Sequence, residues 1–432
     1  MLSESRFSRL FREGFWIVLG QIMTVMGSLI GVVILTRLLD PSSYGELALG
    51  MTVAGLFNYT VYSPLQSGAT RLYTQAREEA DLGSYWTALR KLTIASTGVI
   101  IVLVVVALFC LSIAGRPGWL FITAIISAYA ILSGYNTILN GIHNAARHRS
   151  ITALHQSLES WLRVLLASGL LLWLGATSTV AAIGYALAAL LLLGSQYMFF
   201  NVIIRNRVSQ VDEVKKWQSK LWTYSWPFAT WGICSWAQLA SDRWALGLFL
   251  TTNEIGLYTA LFQLGYYPML VAMGSLIEFI APILFQRADN AKDRLRRVTA
   301  TKIAMQITYL SLSMTVLIFT IALTLHAQIF NLILTKEYAS ISFLLPWILL
   351  ASGIFATSQT IALRFMIQID TKILIMPKVI TSLLGLGLNF LGAYSYGIAG
   401  VVAAQVIFSL MYFTWMISLS QKLVSHPNMK VS

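Results

Sequence analysis

Two stretches of this chain, residues 164–204 and 379–421, contain no Asp, Glu, Lys or Arg. A bilayer-crossing helix takes about 20 apolar residues. Each stretch is long enough for two such helices and a tight turn. The same pattern runs through the rest of the chain. It predicts helices at about 14–36, 44–66, 92–114, 119–142, 151–174, 179–202, 222–250, 256–285, 301–326, 340–366, 373–394 and 397–420. Charged residues make up 11% and hydrophobic ones 57% of the chain. Soluble domains carry roughly 25% charge, so the composition excludes an ordinary soluble fold. The expectation is an all-α membrane protein of about twelve transmembrane helices.

The basic residues fall in every second loop. Of the 30 Lys and Arg, 23 lie in one set of loops and three, Arg37, Arg116 and Lys336, in the other. The remaining four, Arg163, Arg243, Arg364 and Lys378, fall inside predicted helices. Lys- and Arg-rich loops stay in the cytoplasm, which predicts that both termini are cytoplasmic. The net charge of +13 therefore speaks to orientation and not to nucleic acid. The expected organisation is a basic amphipathic N-terminal segment (1–13), a six-helix lobe (14–204), a basic linker (205–221), a second six-helix lobe (222–420) and a cytoplasmic tail (421–432). Arg6, Arg9 and Arg12 alternate with Phe7, Leu10 and Phe11, and the apolar span that follows is too long for a cleavable signal. The loops leave no room for a catalytic or ATPase domain, and no G-x-x-x-x-G-K-[ST] occurs. Neither the five histidines nor Cys110 and Cys234 show metal-ligand spacing. His143 and His148, in a basic inner loop, read as solvated. The reading is a non-enzyme without metal or cofactor.

A weak internal repeat links the two halves. Leu35, Leu39 and Gly45 match Leu246, Leu250 and Gly256 at an offset of 211. This pairs helix one with helix seven, and each glycine is expected just before a new helix. Any short outer hairpin would give a similar match. Six helices per half leaves both halves in the same orientation. Gly27-x-x-x-Gly31 in helix one predicts close approach of a neighbouring helix.

Charges inside apolar helices are costly and each needs a reason. Glu159 and Arg163 are four apart and share a helix face. They are either a packing ion pair or a charged cavity wall. Arg163 lies about 18 Å from the inner end of its helix. Asp242 and Arg243 are adjacent, point about 100° apart and should not satisfy each other. Glu278 sits near Pro282 in a helix that also holds Pro268. It is either an ion site beside a bend or an interfacial carboxylate. Arg364 and Lys378 either snorkel to the inner surface or make an inner cavity cationic, which would suit an anionic, diphosphate-bearing substrate. Trp222 and Trp226 fit the interfacial belt. Trp231, Trp236 and Trp244 serve packing, lipid contact or sugar stacking.

Two motifs carry a resemblance. Gly20–Gly45 closes on Leu-Thr-Arg-Leu-Leu-Asp-Pro-x-x-Tyr-Gly, and Ser241-Asp-Arg-Trp-Ala-Leu-Gly-Leu-Phe-Leu is followed by Ile255-Gly-Leu-Tyr258. With the helix count and loop pattern, these resemble the polysaccharide-export branch of the multidrug/oligosaccharidyl-lipid/polysaccharide superfamily, the Wzx-type O-antigen flippases. The resemblance implies two six-helix lobes around a central cavity open alternately to each side. It implies a substrate of O-antigen or exopolysaccharide unit on undecaprenyl diphosphate, moved across the bacterial inner membrane. Membrane lipid and that glycan would be partners, with a polysaccharide polymerase and a chain-length regulator downstream.

Arg163, Arg243, Arg364, Lys378 and Arg37 become the substrate-binding candidates. Asp242, Glu278 and Glu159 become the candidates for coupling to a proton or sodium gradient. Arg37 with Asp40, and Asp242 with Arg243, fall on the family's motif positions. The lipid II flippases of the superfamily usually have two further helices, for which this chain has no room. The alternative is a cation-coupled multidrug exporter of the same superfamily, which would want a more acidic interior. A major-facilitator transporter should carry Gly-x-x-x-Asp-Arg between helices two and three, where this chain has Arg71-Leu-Tyr-Thr-Gln-Ala-Arg77. A glycan polymerase should have a large outer loop, and none is present.

Overall fold

The computed structural model describes residues 6–204, 213–289, 294–367 and 372–425, and all regular structure among them is helical. The chain divides into two compact units, Met1–Trp236 and Ala237–Ser432.

The first unit begins with α1 (Arg6–Leu38), so residues 6–13 continue the first membrane helix instead of forming a separate segment. Asp40 then caps α2 (Pro41–Phe57), accepting from the Ser42 and Ser43 amides at 3.0 and 3.3 Å. A π-helical turn, Asn58–Tyr62, joins α2 to α3 (Ser63–Glu78) without a loop. Then come α4 (Leu82–Ile113), α5 (Pro117–Ala145), α6 (Arg149–Leu174) and α7 (Ser178–Phe199). The turn between α6 and α7 is as short as the sequence suggests. Gly175 takes φ 109°, which a side chain disfavours, and Thr177 caps α7 through the Val180 amide.

Small residues decide which helices touch. A Cβ added at Gly20, Gly27 or Gly31 of α1 would strike Ala153, Ser160 or Val164 of α6 at 2.9, 2.6 and 2.6 Å. The Gly27-x-x-x-Gly31 motif therefore does what its spacing predicts. The residue numbers rise together on both helices, so α1 and α6 run parallel. Parallel running requires an even number of reversals between them, which makes α2, the π-turn and α3 a single crossing. Trp161 locks the pair by donating from Nε1 to the Met23 carbonyl at 3.0 Å.

α8 (Val214–Phe249) crosses the division between the units. Its first turns belong to the first unit, where the fully buried Trp217 donates to Asp81 at 2.7 Å. Further along, Gly232 lies against the Tyr59 carbonyl, 1.9 Å from where a Cβ would stand, and Trp236 donates to the Thr52 carbonyl at 2.7 Å. Trp222, Trp226, Trp231 and Trp244 are exposed on the protein surface.

The second unit holds the end of α8, then α9 (Thr252–Asp289), α10 (Arg294–Ile333), α11 (Leu345–Ile367) and α12 (Ile375–Ser425). α9 continues through both Pro268 and Pro282. α10 and α11 pack antiparallel through buried hydroxyl pairs, Thr308–Thr360 and Ser311–Thr357, each at 2.8 Å. α12 covers the expected eleventh and twelfth helices. Gly397 inside it has φ 59° and ψ −134°, outside the helical range. The Gly392 and Gly400 backbones touch, with an added Cβ at either only 2.4 or 2.0 Å from the other's carbonyl oxygen. Eight residues of straight helix would separate them by about 12 Å. The chain therefore reverses at Gly397 into two antiparallel arms, and Gly385 of the first meets Phe408 of the second.

The protein is a multi-pass membrane protein. Among the described residues, nine helices are long and apolar enough to cross a bilayer. That number differs from twelve for local reasons. α2 and α3 are each short, α8 is interrupted by polar residues and Pro227, and the α12 hairpin counts once.

The repeat at Gly45 and Gly256 needs a correction. Neither glycine precedes a helix. Gly45 is the fifth residue of α2 and Gly256 the fifth of α9, and both are buried. The entries to the two helices match in kind as well. Asp40 caps one, and at the other Glu254 accepts from the Thr251 amide at 3.2 Å.

Candidate functional site

The charges within the spans fall into separate clusters, each inside one unit. In the first unit the cluster lies between α5, α6 and α7. Arg163 of α6 donates from Nη1 to the Tyr129 hydroxyl of α5 at 3.3 Å, and its guanidinium lies 5.1 Å from the Tyr185 ring centre of α7. Its Nε is buried and has no hydrogen-bond partner. Glu159, one turn earlier, accepts from Ser133 at 3.4 Å. Glu159 and Arg163 share a face but do not form an ion pair within 4 Å, so the expected packing pair is absent in its simple form. The seam continues towards the N-terminus of α6, where buried His155 bonds the Ser195 hydroxyl at 3.1 Å. His155, Glu159 and Arg163 recur every four residues on one helix face. That periodicity was available in the sequence and identifies His155 as a member of the cluster.

His143 corrects a second expectation. It lies at the end of α5, is fully buried, and both ring nitrogens lack hydrogen-bond partners. It is not a solvated loop residue. Asn140 and Gln196 nearby on α5 and α7 also have unpartnered buried side-chain oxygens.

In the second unit, Asp242 and Arg243 do satisfy each other, against expectation. The Arg243 amide and Nη1 donate to Asp242 Oδ1 at 2.7 and 3.3 Å. Directions about 100° apart on the helix are bridged because the long arginine side chain folds back, also donating to the Leu239 carbonyl at 2.7 Å. Tyr258 of α9 donates to Asp242 Oδ2 at 2.7 Å, and Arg243 stacks on Phe262 at 4.5 Å. The resulting group is buried and internally neutral. Neither Tyr258 nor Phe262 was singled out from the sequence.

Arg364 does not snorkel. It is 7% exposed, and its Nη1 donates to Ser420 of α12 and lies 3.3 Å from the Met305 sulfur of α10. Its Nε is buried and unpartnered. No carboxylate contacts it among the described residues. Lys378, near the start of α12, lies 6.0 Å from the Phe355 ring. Phe355 belongs to an aromatic cluster with Tyr266, Phe408 and Tyr412. Arg37 is exposed in the last turn of α1, where a cation complements the helix dipole. Asp40, three residues on, keeps a low carboxyl pKa. Slight burial opposes its charge, but the hydrogen bonds from Ser43 and Ser42 outweigh it. Glu278 lies within α9, but its side chain is outside the described residues.

The fold has well-matched neighbours among solved structures. The lipid II flippase MurJ in an inward closed conformation aligns with a TM-score of 0.71 at 15% identity, covering 94% of this chain and 87% of that one. An inward-facing multidrug resistance MATE family transporter of the MOP superfamily aligns with a TM-score of 0.65 at 15% identity, covering 93% and 96%. A MOP superfamily transporter from Pyrococcus furiosus, described by a reversed polarity of its binding pocket, gives 0.59 at 14% identity, covering 95% and 97%. At such identities the likeness shows the fold alone. No curated protein sequence matches the chain. The sequence model for "polysaccharide biosynthesis protein" matches residues 10–287, through the whole first unit and into α9, and the chain belongs to that family.

Proposed function

We propose that this protein is a flippase for undecaprenyl-diphosphate-linked oligosaccharide, an O-antigen or exopolysaccharide unit, working by alternating access in the bacterial inner membrane. The observation that carries the proposal is the company kept by Arg163 and Arg364. Both guanidiniums lie in membrane helices among phenol, hydroxyl and thioether groups, and each has a buried Nε without a partner. Cations held by neutral groups keep their positive potential, and guanidinium matches phosphate oxygens in pairs. A cationic drug would meet repulsion at both. The prenyl chain would remain in lipid while the arginines and Lys378 engage the diphosphate.

The coupling role is best assigned to Glu159. Asp242 is already neutralised by Arg243 and Tyr258, whereas Glu159 accepts one long hydrogen bond from Ser133 and so stays free to take a proton or sodium ion. A polymerase and a chain-length regulator would receive the translocated unit.

The test is a deletion strain complemented with Arg163→Ala or Arg364→Ala, scored on a surface-polysaccharide gel with an immunoblot for membrane level. Losing a charge-assisted contact costs about 1.5–3 kcal/mol, so export should fall about tenfold or more for each. Undiminished glycan in both variants sinks the anion mechanism. Loss of drug resistance on deletion, with normal surface glycan, would instead establish the multidrug exporter.

A further inference from the structure

The flank of the first unit carries a groove that the transport reading leaves unused. It lies between the first turns of α4 and the last turns of α5 and α7, with a volume of about 790 Å³. Its floor is apolar, with Ile138 and Leu139 from α5 and Leu190 and Leu193 from α7. Trp86 and Arg90 of α4 and Tyr197 and Phe200 of α7 line one end, and Tyr135 of α5 lies deeper. No lining residue is acidic. Arg90 is exposed and makes no hydrogen bond or ion pair among the described residues. The wall at Gly194 is open, since an added Cβ would meet nothing within 4 Å.

The dimensions fit one leaflet. Tyr135 is ten residues from the end of α5 at Ala145, about 15 Å along the helix. That is half of a hydrocarbon core about 30 Å thick. The Arg90 end of the groove is also the end that carries Lys91, Arg147 and Arg149, the cytoplasmic end by the distribution of basic residues. A cation beside indole and phenol rings, above a hydrocarbon-lined slot one leaflet deep, complements an amphiphile with a negative headgroup. Basic pockets between membrane helices on the cytoplasmic side are where anionic headgroups settle.

We propose that this groove binds an anionic phospholipid of the cytoplasmic leaflet, its phosphate at Arg90, its ester region beside Trp86 and Tyr197, and an acyl chain along Ile138 and Leu190. The site lies on the lipid-facing flank and is independent of the transported substrate.

The full chain would be reconstituted in phosphatidylcholine bilayers containing rising fractions of brominated phosphatidylglycerol or brominated phosphatidylcholine. Bromine quenches tryptophan on contact, and Trp86 is isolated as the difference between the parent and Trp86→Phe. Trp86 should be half-quenched at about fivefold less of the anionic lipid, the preference that one basic residue near a bilayer surface gives. Arg90→Gln should abolish the preference. Gly194→Leu, filling the open wall, should protect Trp86 from both lipids while Trp173, 82% exposed on α6, stays quenched and so reports an intact fold. Equal quenching by the two lipids in the parent would mean ordinary boundary lipid and overturn the proposal. So would a preference that survives Arg90→Gln, or quenching undiminished in Gly194→Leu. Trp86 unquenched by either lipid would mean that protein covers the groove, and would also overturn it.

Discussion

Tyr258 shows how one hydroxyl decides the state of a buried charge. Asp242 is 1% exposed and would be costly there alone. Arg243 supplies one oxygen with donors and Tyr258 supplies the other. Tyr258→Phe should therefore cost about 1.5–3 kcal/mol, the range for a hydrogen bond to a charged group. In purified protein that appears as an unfolding temperature lower by several degrees. An unchanged temperature would mean that Asp242 draws its support elsewhere. Arg163 and Arg364 differ from this pair in keeping neutral partners, which is why they carry the functional proposal.

At the scale of elements, glycine contacts and one latch set the arrangement. Gly392→Ala forces a side chain into the Gly400 backbone at the α12 turn, where neither arm can yield. It should lower the unfolding temperature well beyond Gly98→Ala, whose added methyl meets nothing within 4 Å. Equal effects would refute the hairpin.

The latch at the start of α8 is more polar. Trp217 donates to Asp81, and Glu79 lies 3.5 Å from both Lys216 and Lys220. Asp81→Ala strands a buried indole N–H, at about 1–3 kcal/mol. Burial opposes the Asp81 charge, but hydrogen bonds from Ser84 and Trp217 win and hold its pKa below the usual value. A depressed pKa gives stability that is present above the ordinary aspartate pKa and lost as pH falls through the depressed one. The stability gap between parent and Asp81→Ala should thus stay constant from neutral pH to about pH 4 and close only below. Thermal unfolding across that range measures it, and a gap closing near neutrality would refute the assignment.

On the scale of the whole molecule, each unit repeats one pairing. α1 runs parallel to α6 in the first, and α8 runs parallel to the first arm of α12 in the second. Gln238 meets Ser382 at 3.1 Å and Ser241 meets Asn389 at 2.9 Å. The matching positions of Gly45 and Gly256 at the start of α2 and α9 point the same way. Orientation is testable in a background of Cys110→Ser and Cys234→Ser. Tyr396→Cys, at an 80% exposed position, should react with a membrane-impermeant maleimide in intact cells. Arg147→Cys should react only after permeabilisation. The reverse outcome would invert the topology read from the loops.

Membrane helices, their short turns and the close approach at Gly27 and Gly31 were legible in the sequence, because apolar runs and helical spacing are local properties. So was the exceptional standing of Glu159, Arg163, Asp242, Arg243 and Arg364, since a charge in an apolar run is conspicuous wherever it packs. The fate of each charge was not legible. Arg163 finds Tyr129 from 34 residues away, Asp242 finds Tyr258 from 16, and Arg364 finds Ser420 from 56. The sequence by itself determined that the chain lives in a bilayer and which charges must be accounted for there. Tertiary structure alone decided which were neutralised and which kept their potential, because inside a membrane the nearest polar group comes from another helix.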